Sequence, residues 1–136
     1  MKINEIIQII DHTQNPLINS MDADGIPVSR AMMGVRHREN LEAIYFSTNT
    51  SSNKVSELKN NSKSSLYFFD PNQFVGILVK GEMEVTKDTE SKQKVWRQGD
   101  EMYYPKGIDD PDFTVLKFKP TALRVYSNFK SKDILL

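Results

Sequence analysis

Apolar residues change their spacing several times along this chain, and each change predicts an element. In residues 3–12, INEIIQIIDH, isoleucines stand at 3, 6, 7, 9 and 10, and those at 3, 6, 7 and 10 follow a 3-4 spacing. That spacing predicts an amphipathic helix of about three turns, with Ile3, Ile6, Ile7 and Ile10 on its buried face. Asn15-Pro16 ends it. Residues 17–22, LINSMD, alternate loosely as a strand, and Asp22 to Gly25 reads as a turn. Residues 26–35, IPVSRAMMGV, read as the returning arm of a hairpin. There Val28, Arg30 and Met32 share one face, and Ser29, Ala31 and Met33 the other. The charged run 36–40, RHREN, reads as a turn, and 41–48, LEAIYFST, as a third strand.

Beyond it the pattern turns helical over about 52–60, with Val55 and Leu58 inward and Asn60-Asn61 closing the helix. Residues 64–69 are a short strand, 70–72 a turn, and 74–86, FVGILVKGEMEVT, a long strand. Gly76 and Gly81 inside that strand signal a bulge, a bend or a close backbone approach. Glu82 and Glu84 alternate with Met83 and Val85, so they face solvent. Residues 89–98 look helical around Val95 and Trp96, with Trp96 a core anchor, and 103–112 form an irregular aromatic loop. The last strand or strands cover 113–119 and 122–127, with a break at Pro120. Short strand links predict antiparallel pairing. About six twisted strands with few helices predict a small barrel in a single mainly β domain, because closure removes exposed edges.

Composition narrows the functions open to such a domain. Lysine plus arginine equals aspartate plus glutamate at 18 each, which gives no bulk attraction for nucleic acid or membrane. There is no cysteine, so disulfides and thiolate metal sites are excluded. Two histidines, His12 and His37, are too few for a histidine metal cluster. The N-terminus lacks a signal peptide's layout, and no apolar run is long enough to span a bilayer, so a cytoplasmic location is expected. Arg36-His37-Arg38 reads as a solvated hairpin tip.

One stretch breaks a local rule. In YFSTNTSSNKVSEL, residues 45–58, an apolar strand runs into seven small polar residues and then places Lys54 in the first turn of a helix. Positive charge is unfavourable there. A strand leading through hydroxyls into a helix aims backbone N–H groups at one point, which suits an anion such as phosphate. Thr48, Thr50, Ser51 and Ser52 add donors, and Lys54 adds a charge. The plainer alternative is a Ser51 or Ser52 helix cap with Lys54 in solvent. Arg30 sits among apolar neighbours and requires an anionic partner. Asp22 or Glu82 would serve, and so would the same phosphate.

The pattern Pro27-x-Ser29-Arg30-x-Met32, followed by Phe46-Ser47-Thr48-Asn49-x-x-Ser52-x-Lys54-x-x-x-Leu58, resembles the pyridoxamine 5′-phosphate oxidase-like group of flavin-binding split barrels. Trp96, the run Tyr103-Tyr104-Pro105-Lys106-Gly107-Ile108-Asp109-Asp110-Pro111 and Arg124-Val125-Tyr126 are similar to its general stress protein 26 branch. The likeness runs from about residue 4 to residue 127. It implies a six-stranded antiparallel split β-barrel and a homodimer, with FMN at the subunit interface. The matches to Arg30, Ser52 and Lys54 hold the flavin phosphate. Those to Ser47 and Thr48, with backbone around Ala31 and Met32, face the ring. The second subunit closes the site, with the Tyr103–Gly107 loop, Tyr104 included, as its expected wall. True pyridoxamine-phosphate oxidases carry a lysine where this chain has Val35 and an arginine where it has Asn53, and their C-terminal substrate segment has no counterpart before Leu136. Vitamin B6 oxidation is therefore not expected.

The resemblance implies an FMN-dependent oxidoreductase acting on an unidentified small substrate, with NADH or NADPH a candidate donor. A deazaflavin on the same fold stays open. The competing readings are a non-catalytic flavin-binding or sensor dimer and a structural dimer with no cofactor.

Overall fold

The computed structural model describes all 136 residues. Three helices, α1 (Ile3–His12), α2 (Asn53–Asn60) and α3 (Thr89–Val95), accompany eight strands. The strands are β1 (Leu17–Met21), β2 (Pro27–Ala31), β3 (His37–Glu39), β4 (Ala43–Asn49), β5 (Lys63–Asp70), β6 (Val75–Thr86), β7 (Phe113–Ser127) and β8 (Lys130–Leu135). All neighbours pair antiparallel in the order β2-β1-β5-β6-β7-β4-β3, and β8 pairs the far half of β7. This is the expected mainly β split barrel, with eight strands instead of six. No helix is long and apolar enough to cross a membrane.

The two extra strands have plain causes. Residues 36–40 were expected as a turn, yet His37–Glu39 pair with Ala43–Tyr45 as a three-residue edge strand. Charged side chains suit an edge. β8 is exposed along almost its whole length, so no apolar alternation marks it. Its turn places Asn128 and Phe129 at φ of 54° and 62°, a conformation usually signalled by Asn-Gly. The expected break at Pro120 does not occur. The register shifts at Lys80/Gly81, so that Gly81 faces Pro120 while Lys80 faces Ala122. Thr121 is the extra residue of a bulge, which absorbs a proline that donates no ladder bond. A side chain at Gly81 would strike the Lys119 carbonyl, and one at Gly76 would strike the Tyr67 ring.

The core has two parts on opposite faces of the sheet. The larger packs Ile6, Ile9 and Ile10 of α1 and Leu58 of α2 against Ile18, Phe46, Leu66, Phe68, Ile77, Phe118 and their neighbours. The buried stripe of α1 is rotated from expectation: Ile9 is buried while Ile3 is 45% exposed. The smaller core sits outside β4 and β7, where Ala43, Tyr45, Phe113 and Val115 meet Val95 and Tyr104, with Trp96 and Ile108 against them. Trp96 meets the Phe113 ring edge-on at 5.2 Å, as an anchor should. β4 is thus buried on both faces, and residues 96–113 are folded down onto it.

The sheet order places the functional end. β2 and β3 are the two outer strands of the path, yet they are consecutive in sequence. The segment from Met32 to Arg36 crosses from one edge to the other. No ladder joins those edges, so the barrel is split along this seam.

Candidate functional site

A cleft of about 360 Å³ opens at the seam, within the range of small-ligand sites. Ala31 comes from the end of β2, Met32, Met33 and Arg36 from the crossing segment, and Ser47, Thr48 and Asn49 from the end of β4. Ser51, Ser52 and Lys54 come from the turn into α2, and Tyr103 and Tyr104 from the loop folded over β4. Lysine and arginine line this cleft, and no carboxylate or imidazole does.

Lys54 is the centre of one corner. Ser52 caps α2 by accepting from the Lys54 backbone N–H at 3.3 Å, so the cap expected as the plain alternative is present. The side chain nevertheless does not run to solvent. Its Nζ folds back to donate to Thr48 Oγ1 at 3.0 Å and Ser52 Oγ at 2.9 Å. Both partners are neutral, and Thr48 is buried. Burial first, and then the positive charge of Arg30, pushes the Lys54 ammonium below the usual lysine range. Lys54 is thus a half-buried cation near a second cation, held by two hydroxyls, an arrangement that favours an anionic partner.

Arg30 is near enough to act on Lys54 but does not line the cleft. Its guanidinium turns to α2 and meets Glu57, with Nη1 and Oε1 2.6 Å apart. The expected acidic partners were Asp22 or Glu82; the partner is Glu57. The two atoms are close but misaligned, so neither gains a hydrogen bond, and the contact is electrostatic.

The aromatic wall differs from expectation. The Tyr103–Gly107 loop was assigned to the partner subunit's side of the site, but it folds over the cleft of its own chain. Tyr104 is buried, stacks obliquely on Phe113 with ring centres 4.9 Å apart, and its hydroxyl donates to Asn49 Oδ1 at 3.1 Å. Burial, then the nearby charges of Asp112 and Asp100, raise its pKa, so it stays a neutral phenol. Tyr103 remains 57% exposed at the cleft mouth. Asp110 shapes this loop from within by accepting from the N–H groups of Lys106 at 3.0 Å and Asp112 at 2.9 Å.

Seven of the eight predicted site residues therefore meet in one cleft, namely Ala31, Met32, Ser47, Thr48, Ser52, Lys54 and Tyr104, with Arg30 just behind it. Sequence reasoning missed Arg36. Arg36-His37-Arg38 was read as a solvated tip, but the Arg36 side chain is 8% exposed and pairs with buried Asp100 at 2.8 Å. Arg38 binds Asp11 through two nitrogens, each at 2.8 Å. A run of three basic residues hides the fact that the first of them turns inward.

No functionally curated protein matches the chain. Among solved structures, a Clostridium acetobutylicum protein related to general stress protein 26 of Bacillus subtilis, described as of the pyridoxinephosphate oxidase family, is 34% identical. It superimposes with a TM-score of 0.89, covering 98% of this chain and 94% of that one. General stress protein 26 from Bacillus anthracis gives 0.80 at 20% identity, covering 98% of each chain. A heme binding protein from Mycobacterium smegmatis has the same fold at 14% identity and a TM-score of 0.75; the match covers 99% of this chain and 58% of that one. The profile described as pyridoxamine 5′-phosphate oxidase like matches residues 1–135, and the chain belongs to that family.

Proposed function

We propose that the protein binds FMN in the seam cleft and acts as an FMN-dependent oxidoreductase on a small substrate. The observation that carries this reading is Lys54, a half-buried ammonium held by Thr48 and Ser52 with no carboxylate partner. A phosphate at this corner would receive charge from Lys54, hydroxyls from Ser52 and Thr48, and the first N–H groups of α2. Arg30 would join it by leaving Glu57 for a stronger partner. Ala31, Met32, Ser47 and Thr48 would lie along the ring, with Tyr103 and Tyr104 as its wall.

Bound FMN supplies hydride and electron chemistry that no side chain here can. The chain's own part is to bind, orient and exclude water. The cleft offers no carboxylate or imidazole to move a proton, and the Tyr104 phenol is neutral and held by Asn49. Such a lining suits direct transfer between a stacked donor and the ring better than acid–base catalysis.

The reading includes a homodimer. Phe69, Phe74, Tyr126 and Phe129 are exposed together around the β5–β6 and β7–β8 turns, lining a shallow hollow with Tyr67. Exposed apolar patches of this kind favour a covering partner. The test is the visible absorption spectrum of protein mixed with FMN and passed through gel filtration. A retained flavin band that NADH or NADPH bleaches is expected. A retained band that no donor bleaches would favour a binding or sensor role, and a colourless protein would overturn FMN binding.

A further inference from the structure

Arg36 lines the same cleft as Lys54, and the phosphate corner makes no use of it. Its side chain is more than nine-tenths buried, at 8% exposure. Nη1 donates to Asp100 Oδ2 at 2.8 Å and to the Val95 carbonyl at 3.4 Å. Asp100 is itself fixed, because it also accepts from the Arg97 N–H at 2.9 Å. A guanidinium has five N–H donors in a rigid planar fork. Nη1 accounts for two of them. Nε and Nη2 have no partner in the protein, yet neither is an enclosed, unsatisfied atom. A salt bridge made only for stability has no need to leave the rest of the fork open beside a cleft.

Position adds to this. The Arg36 N–H donates to the Tyr45 carbonyl, and the Lys54 amine reaches Thr48 on the same strand. Tyr45 and Thr48 are three residue steps apart along β4, about 10 Å. The cleft lining thus carries two cations, Lys54 held by hydroxyls and Arg36 paired with Asp100, and no carboxylate.

We propose that Arg36 is a second anchor for the cleft's ligand, donating from Nε and Nη2 to the carbonyl oxygens at the end away from the phosphate. The proposal rests on the FMN reading above, in which those oxygens belong to the pyrimidine edge of the ring. Asp100 is then a positioning residue, and it holds the fork in place through Nη1. A guanidinium at that edge also favours the reduced ring, which carries its negative charge there.

The experiment is a pair of titrations, with FMN and with riboflavin, which lacks the phosphate. The proteins are the wild type, Arg36→Lys, Arg36→Gln and Lys54→Met. Both Arg36 variants should weaken FMN and riboflavin alike, by about tenfold, the scale of a lost charge-assisted contact. Lys54→Met should weaken FMN only. The midpoint potential of bound FMN should fall by about 30 mV in Arg36→Gln, which corresponds to a tenfold preferential loss of the reduced form. If Arg36→Gln does not fold, Arg36→Lys carries the test, because it keeps a charge beside Asp100 and loses only the fork. Arg36 variants that lose thermal stability but keep both affinities and the potential would overturn the anchor and leave a structural ion pair. A wild type that holds neither flavin would overturn the FMN reading itself, an outcome the wild-type titration separates from the first.

Discussion

Replacing Lys54 with methionine separates what its ammonium does for the fold from what it does for a ligand. Methionine keeps an unbranched apolar stem and removes the charge. Without ligand, that charge donates to Thr48 at 3.0 Å and Ser52 at 2.9 Å, yet burial and Arg30 still push its pKa down. Folding therefore lowers the proton affinity of Lys54, and the charge is less comfortable in the folded chain than in the unfolded one. The unfolded state binds more protons between the lowered folded pKa and the ordinary lysine value of about 10.4, so stability climbs with pH across that alkaline window. Below the folded pKa the penalty is present in full. Lys54→Met should lose this climb and leave the ligand-free protein at least as stable as wild type near neutral pH. With FMN present, the same substitution removes a charge-assisted contact to phosphate of about 1.5–3 kcal/mol. That is roughly 10- to 150-fold in Kd. Urea unfolding at neutral and alkaline pH, with calorimetric titration of FMN, measures both halves. Equal FMN affinities for variant and wild type would refute the phosphate clamp. A loss of more than about 2 kcal/mol without FMN, large for a single substitution, would show instead that Lys54 is a structural residue.

Three further outcomes follow from the same geometry. Arg30→Ala should lower FMN affinity by about 1–3 kcal/mol, whereas Glu57→Gln, which frees Arg30 from its competitor, should raise it by about 0.5 kcal/mol, the worth of a partly exposed pair; fluorescence titration checks both signs. The Asp110 carboxyl is held below its ordinary value by the N–H of Asp112 first and then by that of Lys106. Its contribution is therefore complete above the ordinary carboxylate range and is lost as pH falls through the lowered value, so Asp110→Asn should lie furthest below wild type near neutral pH and converge with it in acid, as followed by circular dichroism. Light scattering at micromolar concentration should report twice the chain mass of 15.6 kDa, and a monomer would contradict the dimer.

Legibility in the sequence followed the physics of each segment. Where one face is buried and the other is wet, as in α1 and β6, periodicity located the element. Where there is no alternation to read, the element left no trace: β3 is three residues long and half-buried throughout, and β8 is exposed along almost its whole length. The Lys54 corner was legible because a cation at a helix start violates a local preference that the chain had no other reason to violate. Arg36 was not, because its burial depends on Asp100, which lies 64 residues away and is brought over by the aromatic packing of Trp96, Tyr104 and Phe113. The same long-range folding explains the Tyr103–Gly107 loop. Sequence shows its aromatic content but not which chain's cleft it covers.

The seam has a mechanical consequence. β2 and β3 share no ladder, and the chain passes between them in the short stretch that starts at Met32 and turns through Gly34. That stretch is tied at its two ends, where the Met32 N–H donates to the Pro16 carbonyl and the Arg36 N–H to the Tyr45 carbonyl, and it carries no ladder bond between them. Residues could be inserted there to widen the mouth with the barrel's pairing register untouched. The connector thus forms one wall of the cleft without taking part in the ladders that hold the barrel.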